Sequence, residues 1–353
     1  MKKFLAILLA VLMCAAVLTA CGAKKTGGTD TTADTTADTT AETHPEKTTL
    51  SKDPVRIFTL KGPTGMGMAK LISDSKNGDA SLSYDFTVAS SADEFTGTII
   101  QGDFEFAAVP TNLAAVLAAK TNGAVSVAAV NTLGVLYVLE NGDSVKSVED
   151  LAGKTIYSSG QGAVPEYALN YILDAFGIEC NVIYESEHDA VVSDLITKKA
   201  DIAILPEPKV TAALKNADAP EGLRVALDLN DLWKAACEKK GDSGELYMGC
   251  VIVNTAWANE HPNELEAFLN DYKASVDICS ADPDTASTLI AEAGIIPAAP
   301  VAKAAMANCH IVFIIGDKMA EGLNGFYNVL YGFNPASVGG KLPEESFYIN
   351  LAK

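Results

Sequence analysis

The stretch RIFTLKGPTGMGMAKLI, residues 56–72, decides how the chain is read. Residues 56–60 are β-branched, aromatic and apolar, the content of a short strand. Gly62, Pro63, Gly65 and Gly67 then break it into a tight turn. Met68, Leu71 and Ile72 recur at helical spacing. Strand, glycine-rich turn and helix together aim backbone N–H groups and a positive dipole end at the space above the turn. The Walker pattern needs Lys and Ser/Thr after Gly67, and Met68 and Ala69 stand there. The dinucleotide fingerprint needs Gly at position 70, which is Lys70. As a bare pattern, the turn is either a binding loop or an ordinary strand–helix corner.

Upstream, Met1, Lys2 and Lys3 make a basic start, and 4–20 is almost unbroken apolar sequence. That is a secretory signal over 1–20, too short for a spanning helix and without stop-transfer charges. Leu18-Thr19-Ala20-Cys21 resembles the lipobox of bacterial lipoproteins, which implies a lipid on Cys21. Residues 21–52 carry Asp-Thr-Thr-Ala three times and almost no large apolar side chain. Such a segment cannot bury enough surface to offset its ordering entropy, so a disordered tether is expected. As a flexible coil of about thirty residues it reaches roughly 30 Å.

The remaining 300 or so residues suit two domains better than one core. The chain holds 45 acidic against 26 basic residues, net −19. An acidic body binds nucleic acid poorly and is repelled by anionic headgroups. Its five cysteines, Cys180, Cys237, Cys250, Cys279 and Cys309, are odd in number and include no C-x-x-C, which favours buried free thiols.

Strand-like and helix-like segments alternate. Strands are expected at 84–88, 104–109, 125–130, 133–139, 154–158, 181–185, 202–205, 223–227 and 247–254. Helices are expected at 92–101, 113–120, from Pro165 to Phe176, at 190–199 and at 209–214. Beyond Thr255 the pattern turns helical, with one stripe through Leu265, Phe268, Leu269, Tyr272 and Val276 and another through Met319, Leu323, Phe326 and Leu330. Alternation of this kind argues for parallel-rich sheets flanked by helices. The expected division is a discontinuous first lobe, 53–152 plus 255–353, and a second lobe, 153–254. Two hinge strands would join them, near 151–155 and 251–254, around a cleft that closes on a ligand.

The lipobox, the strand–KGPTGMG–helix start, GQGAVPEYALNYIL (160–173), ADIAILPEPKVTAAL (200–214) and LRVALDLNDLW (223–233) together resemble a substrate-binding lipoprotein of an ABC importer. The nearest branch binds nitrate, sulfonate or taurine, and thiamine precursors. The resemblance spans roughly 54–350. It implies an α/β, two-lobed, type II periplasmic-binding-protein-like fold that binds a small molecule between the lobes. Implied partners are a permease with its ATPase, and the membrane through the lipid on Cys21. It also implies an extracytoplasmic monomer without cofactor or metal.

Carried onto this chain, the ligand loops are Lys61, Gly62, Pro63, Thr64, Gly65 and Met66; Pro110, Thr111 and Asn112; Ser158, Ser159, Gly160 and Gln161; and Glu207. Loops beyond strand carboxyl ends are where open α/β sheets hold small molecules. Lys61 is the one cation in these stretches, placed either on a ligand acid or in solvent. Glu207 either receives a ligand amine or sits exposed on a rigid turn. Thr111, Ser158 and Ser159 are ligand contacts or helix caps. Tyr137, Trp233 and Tyr247 either stack a ligand or pack the core. So few charges argue against nitrate or a simple sulfonate and for a neutral or zwitterionic, heterocyclic organic ligand. A bulky residue at Gly65 or Gly160 is expected to weaken binding and leave the lobes folded.

Two other classes stand beside this one. A sensory lipoprotein would keep the fold and dock on a membrane receptor. An enzyme would need a site, and the histidines His44, His188, His261 and His310 form no metal spacing. There is no G-x-S-x-G elbow, and no histidine is expected beside Ser158 or Ser159.

Overall fold

In the computed structural model, which describes residues 50–242 and 244–350, the strand read from residues 56–60 is β1 (Val55–Leu60). Three more strands follow, β2 (Tyr84–Ala89), β3 (Phe106–Pro110) and β4 (Val125–Thr132). The next five, β5 (Leu136–Asn141), β6 (Thr155–Ser158), β7 (Asn181–Tyr184), β8 (Ile202–Pro206) and β9 (Leu223–Asp228), make a second sheet. The chain then returns to the first sheet with β10 (Gly249–Asn254) and β11 (Ile311–Ile314).

The first sheet runs β11-β4-β10-β3-β1-β2, and the second β7-β6-β8-β5-β9. β1 pairs parallel with β2 and β3, while β10 is antiparallel to β3 and β4. In the second sheet β6 is parallel to β7 and β8, and β5 is antiparallel to β8 and β9. Both faces of the first sheet are buried. Phe106, Ala108, Val251 and Val253 pack with Phe268 and Tyr272 on one side, and Ala107, Val109 and Ile252 belong with Phe326 on the other. Successive side chains point to opposite faces, so a strand covered twice must be apolar throughout. Phe268, on helix Pro262–Ala281, stacks on Phe106 with ring centroids 3.7 Å apart.

Three features differ from the sequence reading. The run 133–139 was expected as one strand of the first lobe, yet β4 ends in the first sheet and β5 begins in the second. The chain therefore crosses at 133–135, before the expected crossing near 151–155. The return crossing lies before Gly249, since β10 is an inner strand of the first sheet. Wholly buried strands have no polar face, so their pattern carries no information about which sheet they join. Finally, the tail is not all helical, because β11 pairs antiparallel with β4.

An aromatic group joins the two sheets' cores. Trp233 on helix Leu229–Lys240 lies 4.6 Å from Tyr171 and 5.6 Å from Phe326, and Tyr247 lies 6.1 Å from Phe326. Trp233 and Tyr247 are therefore core packing. All five described cysteines are free thiols, four of them buried and Cys180 half-buried. Residues 1–20, Cys21 and the tether as far as 49 lie outside the described residues.

Candidate ligand-binding site

The parallel strands of the first sheet end at Leu60, Ala89, Pro110 and Thr132, and those of the second at Ser158, Tyr184, Pro206 and Asp228. The direct link between these carboxyl edges is Leu133, Gly134 and Val135, so both edges open towards the crossing. At Gly134 the backbone is pressed closely, and an added Cβ would lie 2.7 Å from the Asn230 side chain. The His310 ring, through Nδ1, shares a hydrogen bond with the Gly134 carbonyl, and Leu133 N–H donates to the His310 carbonyl at 3.2 Å.

Glu207 sits at this crossing. Its backbone N–H donates to the Val135 carbonyl at 2.9 Å, and the residue is 1% exposed. Its carboxylate accepts from the Thr211 N–H at 3.1 Å, the Thr211 hydroxyl at 3.0 Å and the Asn308 amide at 3.3 Å. Burial pushes its pKa up, against those three hydrogen bonds. Asn308 precedes β11 in the first sheet, and its own carbonyl accepts from the Tyr137 hydroxyl at 3.0 Å. One residue thus ties the first sheet to two residues of the second. Tyr137 is 6% exposed and stands between Glu207 and Asp228 at the start of β5.

The glycine-rich turn takes a different role from a simple binding loop. Gly62 has φ +90°, and its carbonyl accepts from the N–H groups of Gly65 and Met66, starting the one-turn helix Pro63–Met66. Gly65 is buried, and a Cβ there would stand 1.9 Å from the Leu60 carbonyl oxygen. Met66 is fully buried among Ile57, Leu71 and Phe268, so it belongs to the core. Asn131 donates to the Thr64 carbonyl at 3.1 Å and fixes the turn on the end of β4. Lys61 is exposed and makes no ion pair among the described residues, while Gly62, Pro63 and Thr64 are partly open.

Thr111 is also structural. It is fully buried, its hydroxyl donates to the Tyr247 carbonyl at 2.6 Å, and its own carbonyl accepts from the Tyr327 hydroxyl at 2.8 Å. Pro110 and Asn112 beside it are partly open.

In the second sheet Ser158 is 2% exposed, with its hydroxyl on the Ser159 carbonyl at 3.2 Å. Ser159 Oγ and His188 Nδ1 share a hydrogen bond, which overturns the expectation that no histidine stands beside these serines. His188 opens helix His188–Ile196 just after β7, and β7 pairs with β6, so two adjacent strand ends bring them together. Burial, then the nearby Lys209, lowers the imidazole pKa. Among the described residues no carboxylate hydrogen-bonds His188, so the orienting third member of a catalytic triad is missing. Gly160 has φ +79° and its Cβ position is 3.0 Å from Pro165, while Gln161 points into solvent.

Among the described residues no hydrogen bond links the loops at 62–66 or 110–112 to the loop at 158–161; Glu207 is the predicted residue that bridges the two sheets. Asn308, His310, Asp228, Asn230, Gly134 and His188 were not among the ligand residues expected from the sequence. The β-branched, aromatic run 311–314 just after Asn308 and His310 was the signal for β11 and its preceding turn.

The family model described as NMT1/THI5 like matches residues 80–286. Solved structures share the fold. An ABC transporter structure from Parabacteroides distasonis is 20% identical, with 84% of this chain and 99% of that chain covered at a TM-score of 0.71. The periplasmic aliphatic sulphonate binding protein of Escherichia coli is 13% identical over 85% and 94%, at 0.64. The alkanesulfonate-binding protein of Xanthomonas axonopodis pv. citri, bound to MOPS, is 12% identical over 83% and 96%, at 0.60. A comparison with curated protein sequences gives no match. Two mixed sheets flanked by helices are the periplasmic-binding-protein-like arrangement that the sequence predicts.

Proposed function

Because this chain belongs to the NMT1/THI5-like family, we propose that it is the extracytoplasmic solute-binding component of an ABC importer. The observation that carries this reading is the meeting of two strand-end edges at the 133–135 crossing, spanned by Asn308, which joins the first sheet's side to Glu207 and Tyr137 of the second. A small molecule entering there touches both halves. Its preference for the closed arrangement sets how far the population shifts. The closed form would then be presented to a permease with its ATPase. The lipobox at 18–21 supports a lipid on Cys21, and the repeat-rich tether supports a body held off the membrane surface.

The ligand is small, organic, and neutral or zwitterionic, with a heterocycle fitting the scarcity of charges. Two of the structural neighbours are sulfonate-binding proteins, whereas here the backbone N–H groups before helix Asp93–Gln101, which offer an anion position, are already taken. Glu94 of helix Asp93–Gln101 accepts the N–H groups of Ser90 at 2.8 Å and Ser91 at 2.9 Å, so a carboxylate occupies that anion position. The chain acts as a binder, and the Ser159–His188 pair supplies a hydroxyl and an imidazole at the strand-end edge of the second sheet.

Native mass spectrometry of the purified protein, followed by denaturation and identification of what is released, tests this. A stoichiometric organic molecule is expected. A bound nitrate or sulfonate would sink the ligand class. An empty protein that no vitamin, amine, sulfonate or heterocycle stabilises against heat would sink the importer reading itself.

A further inference from the structure

Resting on the interlobe site above, we propose that its ligand presents a cationic nitrogen group (an amine, an amidine or a protonated ring nitrogen) to Glu207, Asp228 and Asn230. The argument starts from β5. It lies between β8 and β9, with Leu136 opposite Pro206 and Tyr137 opposite Asp228. Glu207, one residue past β8, and Asp228, the last of β9, therefore flank the start of β5, about 10 Å apart at the backbone for two strand spacings.

Both carboxylates are short of positive charge. The hydrogen-bond donors given for Glu207 are uncharged groups of Thr211 and Asn308. Asp228 accepts from the Asn230 N–H at 2.7 Å. Among the described residues neither is ion-paired with Lys or Arg, and Lys209, two positions beyond Glu207 along the chain, pairs with Asp189. His310 is a basic group near Asp228, and its Nδ1 is engaged with the Gly134 carbonyl. Burial pushes both carboxyl pKa values up, against the hydrogen bonds each carboxylate accepts.

An independent observation points the same way. Asn230 is 5% exposed, and its Oδ1 is buried without a hydrogen-bond partner against Gly134, in the crossing between the sheets. A buried acceptor left without a donor is costly and is rarely tolerated. The crossing therefore holds two carboxylates without a Lys or Arg partner among the described residues and an amide oxygen without a donor. A ligand with N–H donors and a positive charge supplies both deficits, whereas an anion or a bare carbonyl adds to the excess.

The test uses the full chain, titrated calorimetrically with benzamidine, 4-aminopyridine and agmatine as cations. Benzamide serves as a neutral isostere, and benzoate and methanesulfonate as anions. Glu207→Gln and Asp228→Asn remove charge but keep the acceptor for Thr211 and the helix cap, so folding is preserved and is checked by the melting temperature of the unliganded variants. The expected result is millimolar or tighter binding by cations in preference to benzamide and the anions. Each variant should weaken that binding at least about tenfold, the loss of roughly 1.4 kcal/mol. Cation binding untouched by both variants overturns the assignment to these residues. No binding by any cation overturns the cationic class. Preferred binding of benzamide or an anion, lost in Asn308→Ala, also overturns the cationic class while leaving the interlobe site standing.

Discussion

Glu207 is a carboxylate that folding has taken out of water with no cation to meet it. Its pKa lies above the ordinary value because burial penalises the charged form. The folded state then binds more protons than the unfolded state in the window above the usual 4.5, so stability falls as pH rises through that window. Below it the penalty is absent. Glu207→Gln has no such term, so in thermal melts across this range the wild type should lose ground to the variant as pH rises. A wild type that gains ground instead would mean that the Thr211 and Asn308 hydrogen bonds outweigh burial. At this scale the sequence was partly legible. Glu207 stood out between two prolines, but Thr111 and Met66 read as loop residues, and only their neighbours across the fold make them a backbone tie and a core side chain. His188 was invisible beside Ser159 because 29 residues separate them along the chain.

At the scale of elements, the strand–turn–helix at 55–77 was legible because its signals are local: an apolar run, glycines and a helical repeat. The role of each glycine was not. Gly65 lets the turn lie against β1, where a Cβ would stand 1.9 Å from the Leu60 carbonyl oxygen. Gly65→Ala should therefore cost stability, about 1–3 kcal/mol by analogy with overpacking, and lower the melting temperature whether or not ligand is present. That corrects the expectation of a selective loss of binding at this position. An unchanged melting temperature would show that the turn moves aside freely. β4 and β5 show the opposite limit of legibility. Both were found as strands, yet their uniform burial hid the break at 133–135 and assigned β5 to the wrong sheet.

At the scale of the whole molecule, two kinds of tie join the halves. Behind the crossing, Trp233, Tyr171, Phe326 and Tyr247 form a shared aromatic core. At the strand-end edges, Asn308 makes a polar bridge to Glu207 and Tyr137. Apolar packing tolerates little loss, so Trp233→Ala should destabilise by about 3–5 kcal/mol. Asn308→Ala removes the amide donor to Glu207 but keeps the carbonyl that accepts from Tyr137, so it should cost only about 1 kcal/mol and favour the open arrangement. Small-angle scattering should then give a larger radius of gyration for the unliganded Asn308→Ala protein, restored by ligand. An identical radius in both proteins would show that the Asn308 amide bond to Glu207 does not hold the halves together. The sequence by itself determined the alternation of strands and helices, the glycine-rich turn, the acidic surface and the carboxyl-end loops, because periodicity, chain breakers and charge act within a few residues. Only the tertiary structure decided which sheet takes β5 and β10, which loop residues are core, and that Asn308 reaches Glu207 from 101 positions away. Those outcomes depend on which buried surfaces find each other in space, and no local pattern encodes that choice.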